Sequence, residues 1–265
     1  MRRLLPILCV VLHALPLKAN TSMALADSAK AEQPIYIRGQ FTTTDKGISL
    51  FPAFSLGRPA TMLEMKIGGR FHVDPELRYA TDGTPWSYIA WMRYEWLNSS
   101  TFNLRVGGHA SVLFSKKEIT WPSGTVEERI LGNRFLAAEI APTWKFGSRA
   151  SAGLYYLHSR GLDPGSISFA HFAVAHGRLA GMKVGKKATL EFRPQVYYLQ
   201  MDQNWGIYAC GTVQMDFRKS PWALQTILNQ PLVSHIPNGN TFLYNFSLLY
   251  KFNQEYLPYR PIIAI

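Results

Sequence analysis

Apolar and polar side chains alternate with a period of two along much of this chain. Apolar positions carry even numbers between residues 101 and 115 and odd numbers between residues 204 and 217. Because successive side chains of a strand point to opposite faces of a sheet, each segment has one apolar and one polar face. After residue 26 the sequence shows neither a sustained helical spacing nor an apolar stretch long enough for a membrane helix. The sequence therefore predicts an all-β protein.

The same alternation, followed along the whole chain, predicts twelve strands. Their approximate bounds are 47–56, 60–68, 70–80, 85–97, 101–115, 127–146, 150–159, 166–179, 187–199, 204–217, 222–229 and 241–252.

The connections between these strands differ in length in a regular way. Every second connection is tight, as at Gly68–Arg70 and Gly147–Arg149, and the two longest are expected at Lys116–Val126 and Asn229–Asn240. Short periplasmic turns and longer extracellular loops are typical of outer-membrane barrels. We therefore predict an antiparallel transmembrane β-barrel of about 12 strands (range 10 to 14), with periplasmic termini, in the bacterial outer membrane. A soluble antiparallel sandwich would also alternate and is the alternative.

The last predicted strand carries an alternating pattern that ends on an aromatic residue, from Tyr244 through Tyr250 to Phe252. This pattern resembles the C-terminal assembly signal of outer-membrane barrels, so we expect the barrel-assembly machinery and outer-membrane lipid as partners. The chain departs from the pattern because residues 253–265 follow as a C-terminal tail.

The N-terminus predicts export. Arg2 and Arg3 precede an apolar run over residues 4–17, and cleavage is expected after Ala26 or, alternatively, after Ala19. The predicted organisation is then a signal peptide at 1–26, an N-terminal periplasmic segment at 27–46 that includes a possible extra strand, the barrel at 47–252 and the tail at 253–265.

Three segments, Gly47–Ala60, Pro85–Tyr94 and Arg193–Leu199, resemble a family of uncharacterised outer-membrane β-barrel proteins from Bacteroidetes-type bacteria. The resemblance extends from about residue 47 to residue 252. It implies a location and a fold but no activity and no functional residues.

Patterns for familiar chemistry are missing from the sequence. It has no phosphate-binding glycine loop, no His-Glu-x-x-His pattern and no Gly-x-Ser-x-Gly elbow, and its histidines lack a metal-ligand spacing. The nearest approach to a catalytic pair is His158 with Ser159, but adjacent strand residues point to opposite faces. We therefore predict no enzyme activity, no cofactor and no metal, and a barrel-wall lipid hydrolase is the least favoured alternative. The net charge of +11 is dispersed among turns, so no nucleic-acid partner is expected.

The polar face of the predicted strands carries most of the charged side chains. We expect the following residues to line the lumen: Glu76, Arg78, Arg93, Glu95, Arg105, His109, Glu139, Lys145, Glu191, Arg193 and Asp216. They either pair across the interior and plug it, or they line a water-filled path for small solutes. Their nearly balanced charges predict no strong ion selectivity. The predicted function is a passive pore or narrow small-solute conduit, with a structural or surface-interaction barrel as the alternative.

The orientation of the strands follows from the cost of placing a charge in hydrocarbon, ~2 to 4 kcal/mol near the bilayer midplane. Four arginines are therefore predicted to point inward: Arg78, Arg93, Arg105 and Arg193. Four aromatic residues are predicted to point outward: Tyr79, Trp86, Phe102 and Phe192.

Overall fold

The computed structural model describes residues 35–49, 51–122 and 124–256. The predicted signal peptide and most of the predicted tail lie outside these ranges. The described strands are β1 (Ile35–Thr44), β2 (Ala60–Gly68), β3 (Phe71–Ala80), β4 (Pro85–Asn98), β5 (Phe102–Thr120), β6 (Val126–Phe146), β7 (Ala150–Gly161), β8 (Phe169–Val184), β9 (Ala188–Met201), β10 (Asn204–Phe217), β11 (Trp222–Ser234) and β12 (Leu243–Tyr256).

Every strand pairs antiparallel with its neighbours in the chain, and β1 closes the sheet by pairing with β12. The register at the closure sets Phe41 beside Tyr250 and also beside Leu63 of β2. This closed antiparallel barrel of twelve strands confirms the predicted fold. A sandwich would leave sheet edges unpaired, whereas closure removes them.

The predicted first strand, residues 47–56, is wrong. The first strand is β1, which lies within the predicted N-terminal segment 27–46. The connection from β1 to β2 is a loop whose described residues, 45–49 and 51–59, include a 3-10 turn at Pro52–Phe54. Pro52 has no backbone N–H to donate to a ladder. The loop instead closes on itself, because the Gly47 N–H donates to the Arg58 carbonyl at 2.9 Å. The last strand, β12, continues past the predicted limit of residue 252 to Tyr256.

The barrel has a terminus end, where β1 begins and β12 finishes, and a loop end. The turns at the terminus end are residues 69–70, 99–101, 147–149, 185–187 and 218–221. The connections at the loop end are residues 45–59, 81–84, 121–125, 162–168, 202–203 and 235–242. Two of the loops predicted as long are shorter than expected, because β5, β6 and β11 continue into them. By the rule for outer-membrane barrels, the terminus end faces the periplasm.

The outer face of the barrel is apolar. Large hydrophobic side chains are exposed on it, with Phe246 at 65% and Phe146 at 64% of full exposure. Near the terminus end Phe102 packs on Trp144, and Trp222 packs on Tyr250, as in the aromatic girdles of outer-membrane barrels. An apolar exterior of this extent requires lipid rather than water. The protein is therefore a transmembrane barrel of the bacterial outer membrane.

No helix within the described ranges is long and apolar enough to cross a membrane.

Candidate functional site

The structure places the predicted lumen residues in three settings. Six line one central cavity: Glu76, Arg78, Arg93, Arg105, His109 and Arg193. Glu95 and Lys145 line a second cavity at the terminus end. The remaining three, Glu139, Glu191 and Asp216, form ion pairs with basic side chains.

One side of the interior, formed by the inner faces of β2 to β6, is held by ion pairs. We call it the charged wall, and its charged residues are Glu64, Asp74, Glu76, Arg78, Arg93, Arg105 and Glu139. At its centre the Glu139 carboxylate is 0% exposed and accepts bonds from Arg93 Nε at 2.8 Å and Arg93 Nη2 at 3.1 Å. Arg105 Nε at 3.1 Å and the Tyr155 hydroxyl at 2.8 Å complete the set. These bonds fix both guanidinium groups in position.

A second carboxylate on the same wall is also fully engaged. Glu76 accepts a bond from Arg78 Nη2 at 2.5 Å and from the Trp91 indole N–H at 2.9 Å. Arg93 extends the network to Asp74 at 2.8 Å. The Glu139 carboxylate is thus covered by its donors, while the guanidinium groups of Arg78, Arg93 and Arg105 line the cavity.

The opposite side of the interior is formed by β7 to β10, which lie about half a turn around the closed barrel from the charged wall. We call it the apolar wall, and its buried residues are Leu157, Phe172, Val174, Tyr197, Leu199, Met201, Tyr208 and Cys210. The Phe172 and Tyr197 rings lie 5.2 Å apart, and Tyr197 stacks on Tyr208 at 4.9 Å. This wall fills its side of the barrel with aromatic rings.

The loop of residues 45–59 inserts between the two walls. The Phe51 ring lies 4.9 Å from Phe172 of the apolar wall, and Phe54 lies 6.1 Å from Phe135 on β6. The Trp86 indole N–H donates to the Phe54 carbonyl at 2.8 Å. The segment therefore narrows the interior at the loop end.

Trp86 was predicted to face lipid, and that prediction is wrong. A register shift between Arg78 and Tyr79 pairs Arg78 with Ser87 and Tyr79 with Pro85, so Trp86 is the extra residue of a bulge. Trp86 and Ser87 both line the central cavity. Simple alternation cannot predict the face of a side chain at a bulge, whereas Phe102 packs outside the barrel as expected.

The inserted loop is also tied to its neighbour at the loop end. Arg58 Nη1 lies 2.5 Å from the Asp82 carboxylate. The backbone N–H of Thr84 and the Arg58 guanidinium lower the pKa of Asp82 to about 2. The stabilisation that ionised Asp82 gives to the folded state is complete above the ordinary pKa of aspartate and is lost only as the pH falls towards 2. The Arg58–Asp82 ion pair therefore persists across physiological pH.

The central cavity has a volume of about 610 Å³ and adjoins a cavity on either side. It shares Phe54, Trp86 and Phe135 with a cavity of about 400 Å³ at the loop end. It shares Asn103 with a cavity of about 590 Å³ at the terminus end. The three cavities therefore lie in succession along the barrel interior, with the aromatic rings of Phe54, Trp86 and Phe135 at the boundary between the central and the loop-end cavity.

The surface of the central cavity is cationic, unlike the balanced lumen that the sequence suggests. Its arginines are Arg78, Arg93, Arg105, Arg178 and Arg193, and Glu76 is the one acidic residue among its described lining residues. The difference arises because Glu139 is buried behind its donors. Arg178 and His176 also line the cavity and were missed, because they share the inner face of β8 with the apolar Phe172 and Val174, so this strand has no purely polar face.

His158 and Ser159 do not form the catalytic pair that the least favoured hypothesis, a barrel-wall hydrolase, requires. Ser159 lines the central cavity, whereas the His158 ring packs 4.7 Å from His171, whose Nδ1 lies 2.7 Å from the Tyr156 hydroxyl on the exposed outer face. Within the described ranges no three His, Cys, Asp or Glu side chains lie close enough to hold a metal ion together.

No protein-family model and no curated protein sequence matches the chain. Among solved structures, the KdgM porin in complex with disordered oligogalacturonate is 12% identical with a TM-score of 0.49, over 82% of this chain and 99% of that chain. The NanC porin is 13% identical with a TM-score of 0.45, over 84% and 100% of the two chains. An outer membrane channel from Pseudomonas putida F1 is 14% identical with a TM-score of 0.43, over 86% and 99%. At this level of similarity the neighbours assign no substrate to the chain.

Proposed function

We propose that the protein is a narrow passive conduit for small solutes across the outer membrane. The observation that carries the proposal is the chain of three adjoining cavities, whose central member is lined by charged side chains. Charged groups of this kind favour water over hydrocarbon. The rings of Phe51 and Phe54 form the constriction, so the conductance should be small.

The test is the current through the purified barrel in planar lipid bilayers. We expect small, resolvable steps for the wild type and larger steps for the double variant Phe51→Ser with Phe54→Ser, because the rings at the constriction are removed. Phe242→Ser is the matched control, since its ring is exposed at the same end of the barrel and should leave the step size unchanged.

One observation favours the alternative of a structural barrel without transport. The apolar wall and the inserted loop together fill much of the interior at the loop end, with Ile236 and Phe172 both buried. If neither the wild type nor the double variant conducts at any voltage, the conduit proposal is wrong and the structural alternative stands. Membership in the Bacteroidetes-type barrel family stays a prediction.

A further inference from the structure

We propose that the central cavity is a binding site for a small amphipathic organic anion, a carboxylate attached to an aromatic or aliphatic body. This inference rests on the proposed conduit and names the class of solute that it would select. It derives from the contrast between the two surfaces that meet in the cavity.

The cationic side of the cavity has hydrogen-bond donors to spare. The one side-chain bond of Arg105 within the described residues uses Nε, towards Glu139, which leaves the two terminal nitrogens of the guanidinium. The Arg105 side chain is 30% exposed, against 14% for Arg93, whose three guanidinium nitrogens each donate a hydrogen bond to Asp74 or Glu139. A planar guanidinium with two free terminal groups matches the two oxygens of a carboxylate.

Two more arginines line the cavity from β8 and β9, nearer the terminus end than the aromatic residues of the apolar wall. Arg178 and Arg193 share a single carboxylate, that of Glu191, at 2.6 and 3.3 Å. One carboxylate is therefore shared by two guanidinium groups, which leaves one net positive charge in this group of three side chains. The lining that a bound solute would meet carries five arginines and one glutamate, while most of the carboxylates that offset this charge lie behind it, so the exposed donors favour an anionic group.

Polar side chains in the cavity also lack partners. Among the described residues, His109 Nδ1 and Ser111 Oγ are buried without a hydrogen bond, although both residues line the cavity. Buried polar atoms of folded proteins are normally bonded to protein, water or ligand. A bound anion with one or two waters would supply the missing partners.

The other side of the cavity suits an apolar body. The lining includes Phe51, Phe54, Phe135, Leu157, Phe172 and Val174. A cavity of about 610 Å³ falls within the range that holds small organic ligands, roughly 300 to 1,000 Å³. A fully hydrophilic anion would leave these rings in contact with water, so we expect the apolar body to contribute to affinity.

The experiment measures binding of three probes to the full-length barrel in lipid nanodiscs by calorimetry, with empty nanodiscs to subtract partition into lipid. The probes are 4-phenylbutyrate, its uncharged amide 4-phenylbutanamide, and acetate. We expect 4-phenylbutyrate to bind about tenfold or more tightly than either, because the amide lacks the charge and acetate lacks the apolar body.

The variant Arg105→Gln should weaken 4-phenylbutyrate binding by about tenfold and leave the affinity for the amide unchanged. Glu139 keeps its bonds to Arg93 and Tyr155 in this variant, so the barrel should fold. The matched control is Arg129→Gln on the β5–β6 hairpin, where the guanidinium pairs with Glu127 outside the cavity.

Equal binding of the amide and the carboxylate would overturn the proposal, and so would binding of acetate as tight as that of 4-phenylbutyrate. The comparison of probes uses the wild type alone, so it holds even if Arg105→Gln fails to fold. A barrel that conducts ions but binds no probe contradicts this inference and leaves the conduit intact. A barrel that binds 4-phenylbutyrate but never conducts contradicts the conduit proposal, while the proposed binding site stands.

Discussion

The charged wall and the apolar wall face each other across one barrel and are ordered by different forces. On the charged wall, Glu139 holds Arg93, Arg105 and Tyr155 by directional bonds within about 3 Å. On the apolar wall, Phe172 is 4% exposed and is held by ring packing. In the proposed conduit a solute would therefore pass along the charged wall, while the apolar wall and the inserted loop would set the width of the passage.

Truncation of the apolar wall should have the largest effect on stability. Phe172→Ala removes a buried ring that contacts Phe51, Tyr155 and Tyr197, and we expect a loss of about 3 to 5 kcal/mol in the free energy of unfolding. Urea titration of the barrel in micelles or bilayers measures this loss. Phe246→Ala on the lipid face, where the ring is exposed and no internal cavity results, is the control and should cost less. Equal losses would show that the wall is not packed.

Removal of the central carboxylate of the charged wall should have the next largest effect. Glu139→Gln keeps the shape but replaces the charge that orients two guanidinium groups, so we expect a loss of about 1.5 to 3 kcal/mol. Glu128→Gln is the matched control, because its ion pair with Lys116 is about half exposed on both sides and should contribute ~1 kcal/mol or less. The interpretation fails if the two variants unfold at the same urea concentration.

Much of the barrel follows from the alternation alone, because one residue in two must face lipid along every strand. Arg105 and Glu139 on the inner face follow from that period. The inserted loop could not be predicted in this way, because residues 47–56 carry apolar side chains as a strand would. Only the ring contact of Phe51 with Phe172 of β8 distinguishes the loop from a strand. The bulge at Trp86 also cannot be predicted from a period of two. The cationic character of the cavity depends on which carboxylates are covered, and only the side-chain contacts in the structure show this.

The bond between the inserted loop and the barrel wall should have a smaller effect on stability. Trp86→Phe removes the indole donor to the Phe54 carbonyl, and we expect a loss of about 1 kcal/mol together with more frequent open events in bilayer recordings. Trp222→Phe is the matched control, since this indole lies in the outer girdle against Tyr250. An unchanged open probability for Trp86→Phe would show that the inserted loop does not form the constriction.

The smallest effect is expected on the β5–β6 hairpin, which belongs to neither wall. Lys116 pairs with Glu128 at 2.5 Å, and both side chains are about half exposed. Because Lys116 also lines the loop-end cavity, the test uses the neighbouring pair of Arg129 with Glu127, which lines none of the three cavities and is also about half exposed. We expect Arg129→Gln to change the free energy of unfolding by ~1 kcal/mol or less and the step conductance not at all. A large change in conductance would place part of the passage at the hairpin rather than between the walls.

The central claim, that water reaches the charged wall but not the apolar wall, is tested most directly by thiol labelling with a small charged methanethiosulfonate reagent. Cys210 on the apolar wall is 5% exposed and serves as the internal reference. We predict that cysteine introduced by Arg105→Cys reacts rapidly, while native Cys210 and cysteine introduced by Phe102→Cys on the lipid face react slowly. Rapid reaction at position 102 with protection at position 105, or equal rates at 105 and 210, would contradict the account.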